Sequence, residues 1–265
     1  MGAVTSADGT TIAYDQVGAG PPLILVDGAT QYRAVGETTA ALAEIMGERF
    51  TVIRYDRRGR GDSGDTLPYA PEREYEDLEA LVAEAGGEAH VFSMSSGAVL
   101  AVEAASRGVA VSKLVMYEPP MLLDRNGPPP RPDYVETIEG LARDGTPGDA
   151  MAYFMAMVGM PEDQVAEFRG SPAFGAFQAV EHTLAYDGRI MEPYSLGEPI
   201  PPGAWSGALQ PTLVLAGGDS PDWMKNAAQA AAAALPNGEH QVVPGQTHQF
   251  APEALAPVLS DFLSD

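Results

Sequence analysis

Short apolar runs alternate along the chain with longer stretches in which apolar residues recur at helical spacing. Several runs, such as LILV, KLVMY and TLVLA, are apolar at nearly every position, which is typical of strands covered on both faces. Strands are predicted at 11–17, 23–27, 50–55, 89–94, 113–117, 212–216 and 239–243, after a first short strand that ends before the turn at Asp8 and Gly9. Helices are predicted at 36–47, 73–85, 96–107, 222–235 and 252–263. This order predicts an α/β fold with a mostly parallel sheet and right-handed crossovers.

One long stretch, 119–209, interrupts this alternation. Prolines cluster near both of its ends, at 128–130 and at 199–202, and two or three helix-like pieces rich in Met and Phe lie between them. We expect this segment to form a helical cap over the carboxyl edge of the sheet, where ligands bind in such folds. The predicted domains are therefore a core from 1–118 and 210–265 and a cap from 119–209.

Cysteine is absent from the 265 residues. This absence excludes disulfides, a thiolate zinc site and a cysteine nucleophile, and it suits the reducing cytoplasm, which is the predicted location. The N-terminal segment lacks the basic and apolar regions of a secretion signal. No run approaches the roughly 18 apolar residues that a membrane-spanning helix needs.

The charge balance is strongly acidic, with 15 Lys and Arg against 37 Asp and Glu and a net charge of −22. Such a surface repels phosphate backbones and anionic membranes, so neither a nucleic acid nor a membrane is expected as a partner. It also modestly disfavours anionic substrates. The expected partner is a small-molecule substrate, and the expected assembly is a monomer or a homodimer.

The stretch HVFSMSSG places three serines between a predicted strand and a predicted helix. A nucleophilic serine on a sharp strand-to-helix turn needs small residues two positions before and after it, since larger side chains would collide. Ser93 and Ser96 each have a bulky residue two positions before them, whereas Ser95 lies between Ser93 and Gly97. Ser95 is therefore the candidate nucleophile, in the pattern S-x-S-x-G.

Two further stretches lie where predicted strands end: LVDGAT at 25–30 contains the end of one strand, and DRRGRGDSGD at 56–65 follows the next. With the turn at Ser95 and a late histidine, they resemble the α/β-hydrolase family, whose members carry HG after one strand and D-x-R-G-x-G-x-S after the next. The resemblance extends over 11–263 and is most specific at 56–65. It implies an eight-stranded, mostly parallel sheet flanked by helices, a helical cap after the sixth strand, and a serine–histidine–acid mechanism.

The stretch 56–65 also contains G-x-G-x-x-G, formed by Gly59, Gly61 and Gly64, which is a pattern of dinucleotide-binding loops. In those loops a helix opens at the last glycine, but here Pro68 and Pro71 follow. We therefore expect neither a cofactor nor a metal. The arginines and Asp62 are expected to tie the loop through ion pairs and hydrogen bonds.

Four histidines are candidates for the base. His90 and His240 lie in predicted strands and are expected to be structural. His182 lies in the predicted cap, where a surface position is expected and contact with substrate is the alternative. His248, in PGQTHQF, lies between the last strand and the last helix. The resemblance implies that His248 is the base, because the family's histidine occupies this loop and follows the serine and the acid along the chain.

The acid has two candidates. The resemblance implies an acid at the fourth position of G-x-x-D after the penultimate strand, but Ser220 stands there, with Asp219 one residue early and Asp222 two late. Some hydrolases of this fold use the end of the preceding strand instead, where Glu118 stands. Glu118 is the better-placed carboxylate, and Asp219 remains the alternative.

The resemblance also implies an oxyanion hole made of two backbone N–H groups, those of Ala29 and Ser96. The family's usual histidine before Gly28 is Asp27 here. Because an unpaired carboxylate would oppose a developing oxyanion, Asp27 is expected to be hydrogen-bonded or turned away.

The expected function is that of a serine hydrolase that cleaves a small to medium, largely uncharged ester, thioester or lactone through an acyl-enzyme. On the same scaffold, a C–C bond hydrolase or a cofactor-free haloperoxidase or perhydrolase is an alternative. The imperfect acid motif and Asp27 leave open a third possibility, a non-catalytic ligand-binding member of the fold.

Overall fold

Eight strands form a single sheet in the computed structural model, which describes residues 1–123 and 126–264. The spatial order is β1-β2-β4-β3-β5-β6-β7-β8; β2 runs antiparallel to both of its neighbours, and the other pairs are parallel. The strands are β1 (Gly2–Thr5), β2 (Thr11–Val17), β3 (Pro22–Val26), β4 (Thr51–Tyr55), β5 (Ala89–Met94), β6 (Val111–Tyr117), β7 (Thr212–Gly217) and β8 (Gly238–Val243). The predicted eight-stranded, mostly parallel sheet is thereby confirmed, and each predicted strand is found within two residues of its expected ends.

Ten α-helices are found in the described part of the chain. They are α1 (Glu37–Met46), α2 (Pro71–Glu84), α3 (Ser96–Ser106), α4 (Tyr134–Asp144), α5 (Asp149–Met157), α6 (Glu162–Arg169), α7 (Phe174–Gln178), α8 (Leu184–Met191), α9 (Asp222–Ala234) and α10 (Pro252–Ser264). The second helix begins at Pro71, two residues before its predicted start, because the fixed φ and the missing N–H of proline suit the first helical position.

The continuous apolar runs are explained by two cores, one on each face of the sheet. In β3, Leu23 and Leu25 point into the core that contains α1 and α10, and Ile24 and Val26 point into the core that contains α2, α3 and α9. All four side chains are at most 1% exposed, and each contributes roughly 1.5–3 kcal/mol to folding by its burial. Successive residues of a strand face opposite sides, so a strand covered on both sides is apolar throughout.

The helices α4 to α8 all lie between β6 and β7. They share a third apolar cluster that includes Ile138, Met151, Phe174 and Leu184, together with Tyr32 from the loop after β3. The expectation of two or three helical pieces was wrong in number, since the described residues of 119–209 hold five α-helices and two 3-10 turns. These helices are short because glycines and prolines interrupt the helical pattern, as at Gly148, which has a φ of 93°.

Helix α8 packs against both α4 and α3, so it connects the inserted helices with the helix that follows β5. Within residues 1–123 and 126–264, no helix combines the length and the apolar composition required to cross a bilayer.

Candidate active site

Ser95 lies at the junction of β5 and α3, with φ 56° and ψ −132°. A positive φ is uncommon for a residue with a side chain, and such strain is often found at functional sites. The backbone N–H of Ser95 donates to the carbonyl of Tyr117 at 2.9 Å, which ties the turn to the end of β6. The structure therefore has the sharp strand-to-helix turn that the pattern S-x-S-x-G predicts.

Small residues surround this turn because the backbones approach closely. A Cβ added to Gly97 would lie 2.5 Å from the carbonyl oxygen of Asp27, and one added to Gly28 would lie 2.7 Å from the Cβ of Ser95. Ser93 is fully buried, and its hydroxyl donates to the carbonyl of Val115 at 3.0 Å. The steric argument that selected Ser95 thus corresponds to close contacts in the folded chain.

His248 lies in the loop between β8 and α10, with its imidazole between two other candidates. Its Nε2 lies 3.2 Å from Ser95 Oγ, and its Nδ1 lies 2.9 Å from Glu118 Oε2. An ionised carboxylate can only accept a hydrogen bond, so Nδ1–H donates to Glu118, and Nε2 of a neutral ring is left to accept from the Ser95 hydroxyl. The three side chains form a continuous hydrogen-bonded chain.

Glu118 immediately follows β6 and adopts a φ of 44°. Its side chain is fully buried, and its second oxygen, Oε1, accepts the backbone N–H of Gly217 at 2.7 Å. Nearby, the hydroxyl of Tyr117 donates to the carbonyl of Thr247 at 2.5 Å, which holds the residue before His248. Both carboxylate oxygens of Glu118 are thus engaged, and the buried charge is compensated by hydrogen bonds as burial requires.

Asp219 is placed differently. Its backbone N–H donates to the carbonyl of Gln246 at 2.9 Å, which makes it part of the turn after β7. Asp222 lies at the first position of α9, where it pairs with Lys225 at 3.0 Å. The carboxylate that the structure brings within hydrogen-bonding distance of His248 is that of Glu118.

Of the two candidate oxyanion donors, Ser96 follows Ser95 along the chain, and Ala29 follows Gly28, which approaches Ser95 closely. Ser96 is the first residue of α3, so its backbone N–H has no acceptor within the helix. Ala29 follows Gly28 in the loop after β3, and the next residue, Thr30, has a φ of 65°. The loop after β3 therefore lies close to Ser95 at Gly28, and the start of α3 follows Ser95 directly.

Asp27 is 4% exposed, and its Oδ2 accepts the hydroxyl of Thr39 at 3.3 Å, so it is hydrogen-bonded as expected. Its Oδ1 has no hydrogen-bond partner among the described residues. Burial raises the pKa of the Asp27 carboxyl to about 6, against the opposing charges of Arg54, Arg60 and Arg57 and the hydrogen bond from Thr39. A buried carboxyl with one unsatisfied oxygen therefore precedes the loop at Gly28.

The arginines of 56–65 are buried and paired with carboxylates. Arg58 pairs with Asp77 at 2.7 Å and with Asp8 at 2.9 Å, and Asp62 pairs with Arg33 at 2.7 Å. These bonds agree with the expectation that the loop is tied by ion pairs and hydrogen bonds.

Two other arginines of this loop, Arg57 and Arg60, bind Asp187 of α8, at 2.7 and 2.6 Å. Asp187 also accepts the hydroxyl of Ser96 at 2.6 Å. Sequence reasoning missed Asp187. The available signal was the number of arginines in one loop, each of which needs a buried partner, but nothing local identifies a partner some 130 residues away.

A model of the alpha/beta hydrolase family matches residues 8–258. The chain belongs to the alpha/beta hydrolase family. An alpha/beta hydrolase from Sphaerobacter thermophilus, known from its crystal structure, is 46% identical to this chain in sequence. The two structures superpose with a TM-score of 0.89, over 99% of this chain and 100% of that one. As a member of this family, the protein is an enzyme of the hydrolase type.

More distant alpha/beta hydrolases share the fold. A thermophilic esterase from Thermogutta terrifontis is 23% identical, with a TM-score of 0.71 over 99% of this chain and 97% of that one. The enol-lactonase from Burkholderia xenovorans is 18% identical, with a TM-score of 0.69 over the full length of both chains. At these identities the likeness concerns the fold of the alpha/beta hydrolase.

Proposed function

We propose that the protein is a serine hydrolase in which Ser95 is the nucleophile, His248 the general base and Glu118 the acid of the triad. The hydrogen-bonded chain from Ser95 Oγ through His248 to the buried Glu118 is the observation that carries this proposal. The alternative acid, Asp219, is less well supported, because its backbone belongs to a turn with Gln246 and its carboxylate has no hydrogen bond to His248 within the described residues.

The reaction would begin with attack of Ser95 Oγ on the carbonyl carbon of the substrate, while the hydroxyl proton passes to His248 Nε2. The carbonyl oxygen becomes an oxyanion, which the N–H groups of Ala29 and Ser96 would stabilise. Collapse of the tetrahedral intermediate expels the leaving group, which takes the proton from Nε2 and leaves an acyl-enzyme. Water, activated by the same nitrogen, then releases the acid and restores the Ser95 hydroxyl.

Glu118 would act through the imidazole. Its bond to Nδ1 keeps Nε2 free to accept, and its charge stabilises the imidazolium formed during attack. Since Oε1 is held by the N–H of Gly217, the carboxylate keeps one orientation through both half-reactions.

The substrate class we propose is a small to medium, largely uncharged ester, thioester or lactone. The net charge of −22 disfavours anionic substrates. The segment 119–209 would act as a cap domain over the core of 1–118 and 210–265, and its apolar cluster of Met, Phe and Tyr side chains supports an uncharged substrate. Two structural neighbours are an esterase and an enol-lactonase, whose names refer to the ester and lactone bonds of this class.

The test combines a fluorophosphonate probe with a panel of p-nitrophenyl esters of increasing acyl length. The probe is expected to label Ser95, located by mass spectrometry of the digested protein, and Ser95→Ala is expected to abolish both labelling and turnover. Ser93→Ala and His240→Gln are the matched controls, and we expect them to keep both probe labelling and ester turnover. We expect His248→Gln to lose labelling and turnover. Folded wild-type protein that neither labels nor turns over any ester would refute the hydrolase and favour a non-catalytic member of the family.

A further inference from the structure

The carboxylate of Asp187, on α8, binds the residue that follows Ser95 and two arginines of the loop of 56–65. Its Oδ1 accepts the hydroxyl of Ser96 at 2.6 Å and Nη1 of Arg57 at 2.7 Å, and its Oδ2 accepts Nη2 of Arg60 at 2.6 Å. Asp187 is 4% exposed. One side chain from the inserted helices is therefore bonded to the helix start after Ser95 and to the loop of 56–65.

Arg60 extends this connection to the loop after β3. Its Nη1 donates to the carbonyl of Gly28 at 2.6 Å and to that of Gln31 at 3.2 Å. The carbonyl of Gly28 and the N–H of Ala29 belong to one planar trans peptide, in which they point in opposite directions. A guanidinium that fixes this carbonyl therefore also fixes the direction of the Ala29 N–H, and its charge polarises that N–H toward a stronger donor.

Ser96 provides the second connection. Its backbone N–H is the other candidate oxyanion donor, and its side chain is held by Asp187 rather than by solvent. The start of α3 is further fixed by the N–H of Ala98, which donates to the carbonyl of Ser95 at 3.0 Å. The hydroxyl bond to Asp187 thus restrains the residue whose N–H would face the oxyanion.

We propose that Asp187 is a positioning residue that sets both oxyanion donors, the Ala29 N–H through Arg60 and the Ser96 N–H through the Ser96 hydroxyl. This inference rests on the proposed serine hydrolase function. It makes the oxyanion hole dependent on α8, so the seating of the inserted helices and the stabilisation of the transition state are linked. Arg60 stands at a position that D-x-R-G-x-G-x-S leaves unspecified, so the motif alone does not predict this arrangement.

A purely structural role of Asp187 would give a different experimental result from a role in positioning the oxyanion donors. Arg57 also binds Glu74 of α2 through two hydrogen bonds, at 2.6 and 2.8 Å, so part of the network anchors a helix. Its Nη1 donates as well to the carbonyl of Asp27 at 3.3 Å, just before Gly28. If Asp187 only anchored α8, its loss would lower the thermal midpoint and leave the chemistry of the remaining folded protein unchanged. If it positions the donors, folded variants lose transition-state stabilisation.

The experiment compares Asp187→Asn, Arg60→Lys and Ser96→Ala with the wild type. Ser96→Ala removes only the hydroxyl bond and keeps the backbone N–H, and Arg60→Lys keeps the charge but cannot bond Asp187 and the loop carbonyls with one planar group. Measured quantities are kcat/KM for p-nitrophenyl butyrate, the rate of fluorophosphonate labelling, the inhibition constant of butylboronic acid, and the thermal midpoint. A boronic acid forms a tetrahedral adduct with a nucleophilic serine and so reports on the oxyanion donors.

We expect kcat/KM to fall about 10–100-fold in Asp187→Asn and Arg60→Lys, with an equal rise in the boronic acid inhibition constant and KM within about threefold. Ser96→Ala should show the same pattern with a smaller loss. Glu103→Gln is the matched control: it removes the charge from another network, in which Glu103 accepts from Tyr194 and Trp205 and pairs with Arg107, and should lower the thermal midpoint with kcat/KM retained.

If Asp187→Asn does not fold, Arg60→Lys and Ser96→Ala decide the question. Variants that label, turn over and bind the boronic acid as the wild type does would overturn the positioning of the donors and leave the hydrolase standing. A wild type that reacts with neither probe nor ester would overturn the proposed function, and this inference with it.

Discussion

Glu118 and His248 are 130 residues apart in the chain, and the carboxylate Oε2 of the first lies 2.9 Å from Nδ1 of the second. The contact exists because β6 and β8 end at the same edge of a parallel sheet, so the loops that follow them meet there. Because the Glu118 side chain is fully buried and its other oxygen is held by Gly217, the orientation of the imidazole is set by the core rather than by the surface.

Replacing this carboxylate should separate the two candidate acids. Glu118→Gln keeps the shape of the side chain but presents an amide, which can leave Nδ1 in the wrong protonation form. We expect kcat to fall by about 10³–10⁴-fold, the size known for such a change in a serine triad. The check is the rate of ester hydrolysis by Glu118→Gln and by Asp219→Asn, measured side by side. We expect the activity of Asp219→Asn to stay within about twofold of the wild type. A larger loss in Asp219→Asn would overturn the assignment of Glu118.

The hydroxyl of Tyr117 should matter for the same orientation. Tyr117→Phe removes its hydrogen bond to the carbonyl of Thr247 and so loosens the residue before His248. We expect about 1 kcal/mol less stability toward urea and a loss of a few-fold in kcat. Tyr14→Phe is the control, since it removes the bond of a tyrosine to Glu84 on α2, and it should change stability alone. Equal kcat values in the two variants would count against a link between Tyr117 and the imidazole.

Ser95 could be singled out from the sequence by local geometry, whereas Glu118 was singled out through the resemblance to hydrolases that place the acid at the end of this strand. The turn around Ser95 tolerates only small neighbours, and Glu118 stands where an apolar strand ends. The partners of Arg57 and Arg60 could not be predicted in this way, because Asp187 reaches them only through the packing of α8, which no local pattern specifies. The short helices of 119–209 were also undercounted, since five or eight residues are too few to show a helical repeat.

The close approach of Gly28 to Ser95 predicts a strong effect of a single methyl group. A Cβ at Gly28 would lie 2.7 Å from the Cβ of Ser95, so Gly28→Ala must displace either the loop after β3 or Ser95. We expect about 1–3 kcal/mol of destabilisation and about a 100-fold loss of kcat/KM from the displaced site. Gly140→Ala, on the open surface of α4, is the control and should be neutral or stabilise by up to about 1 kcal/mol. Unchanged turnover in Gly28→Ala would show that the loop can move without consequence.

The buried carboxyl of Asp27 predicts an unusual pH dependence of stability. Burial raises its pKa from the ordinary value of 3.8 to about 6, although the charges of Arg54, Arg60 and Arg57 oppose the shift. Between these two values the folded state keeps a proton that the unfolded chain has lost, so this group's contribution to stability is full below about pH 4 and is lost as the pH rises through about 6. The difference amounts to about 3 kcal/mol, since one pKa unit corresponds to about 1.4 kcal/mol.

Asp27→Asn replaces the carboxyl by a neutral group of the same shape and should remove this loss. We expect the free energy of unfolding in urea to rise by about 1–3 kcal/mol at pH 8, because the wild type must bury a charged carboxylate there. At pH 5 the gain should be about half as large, because the folded carboxyl is still mostly protonated while the unfolded chain has already lost the proton, and it should vanish only below about pH 4. Asp261→Asn removes an exposed negative charge from the same acidic chain and controls for net charge. A gain of equal size at both pH values, or a loss at pH 8, would show that the ionised Asp27 is stabilised by its arginines instead.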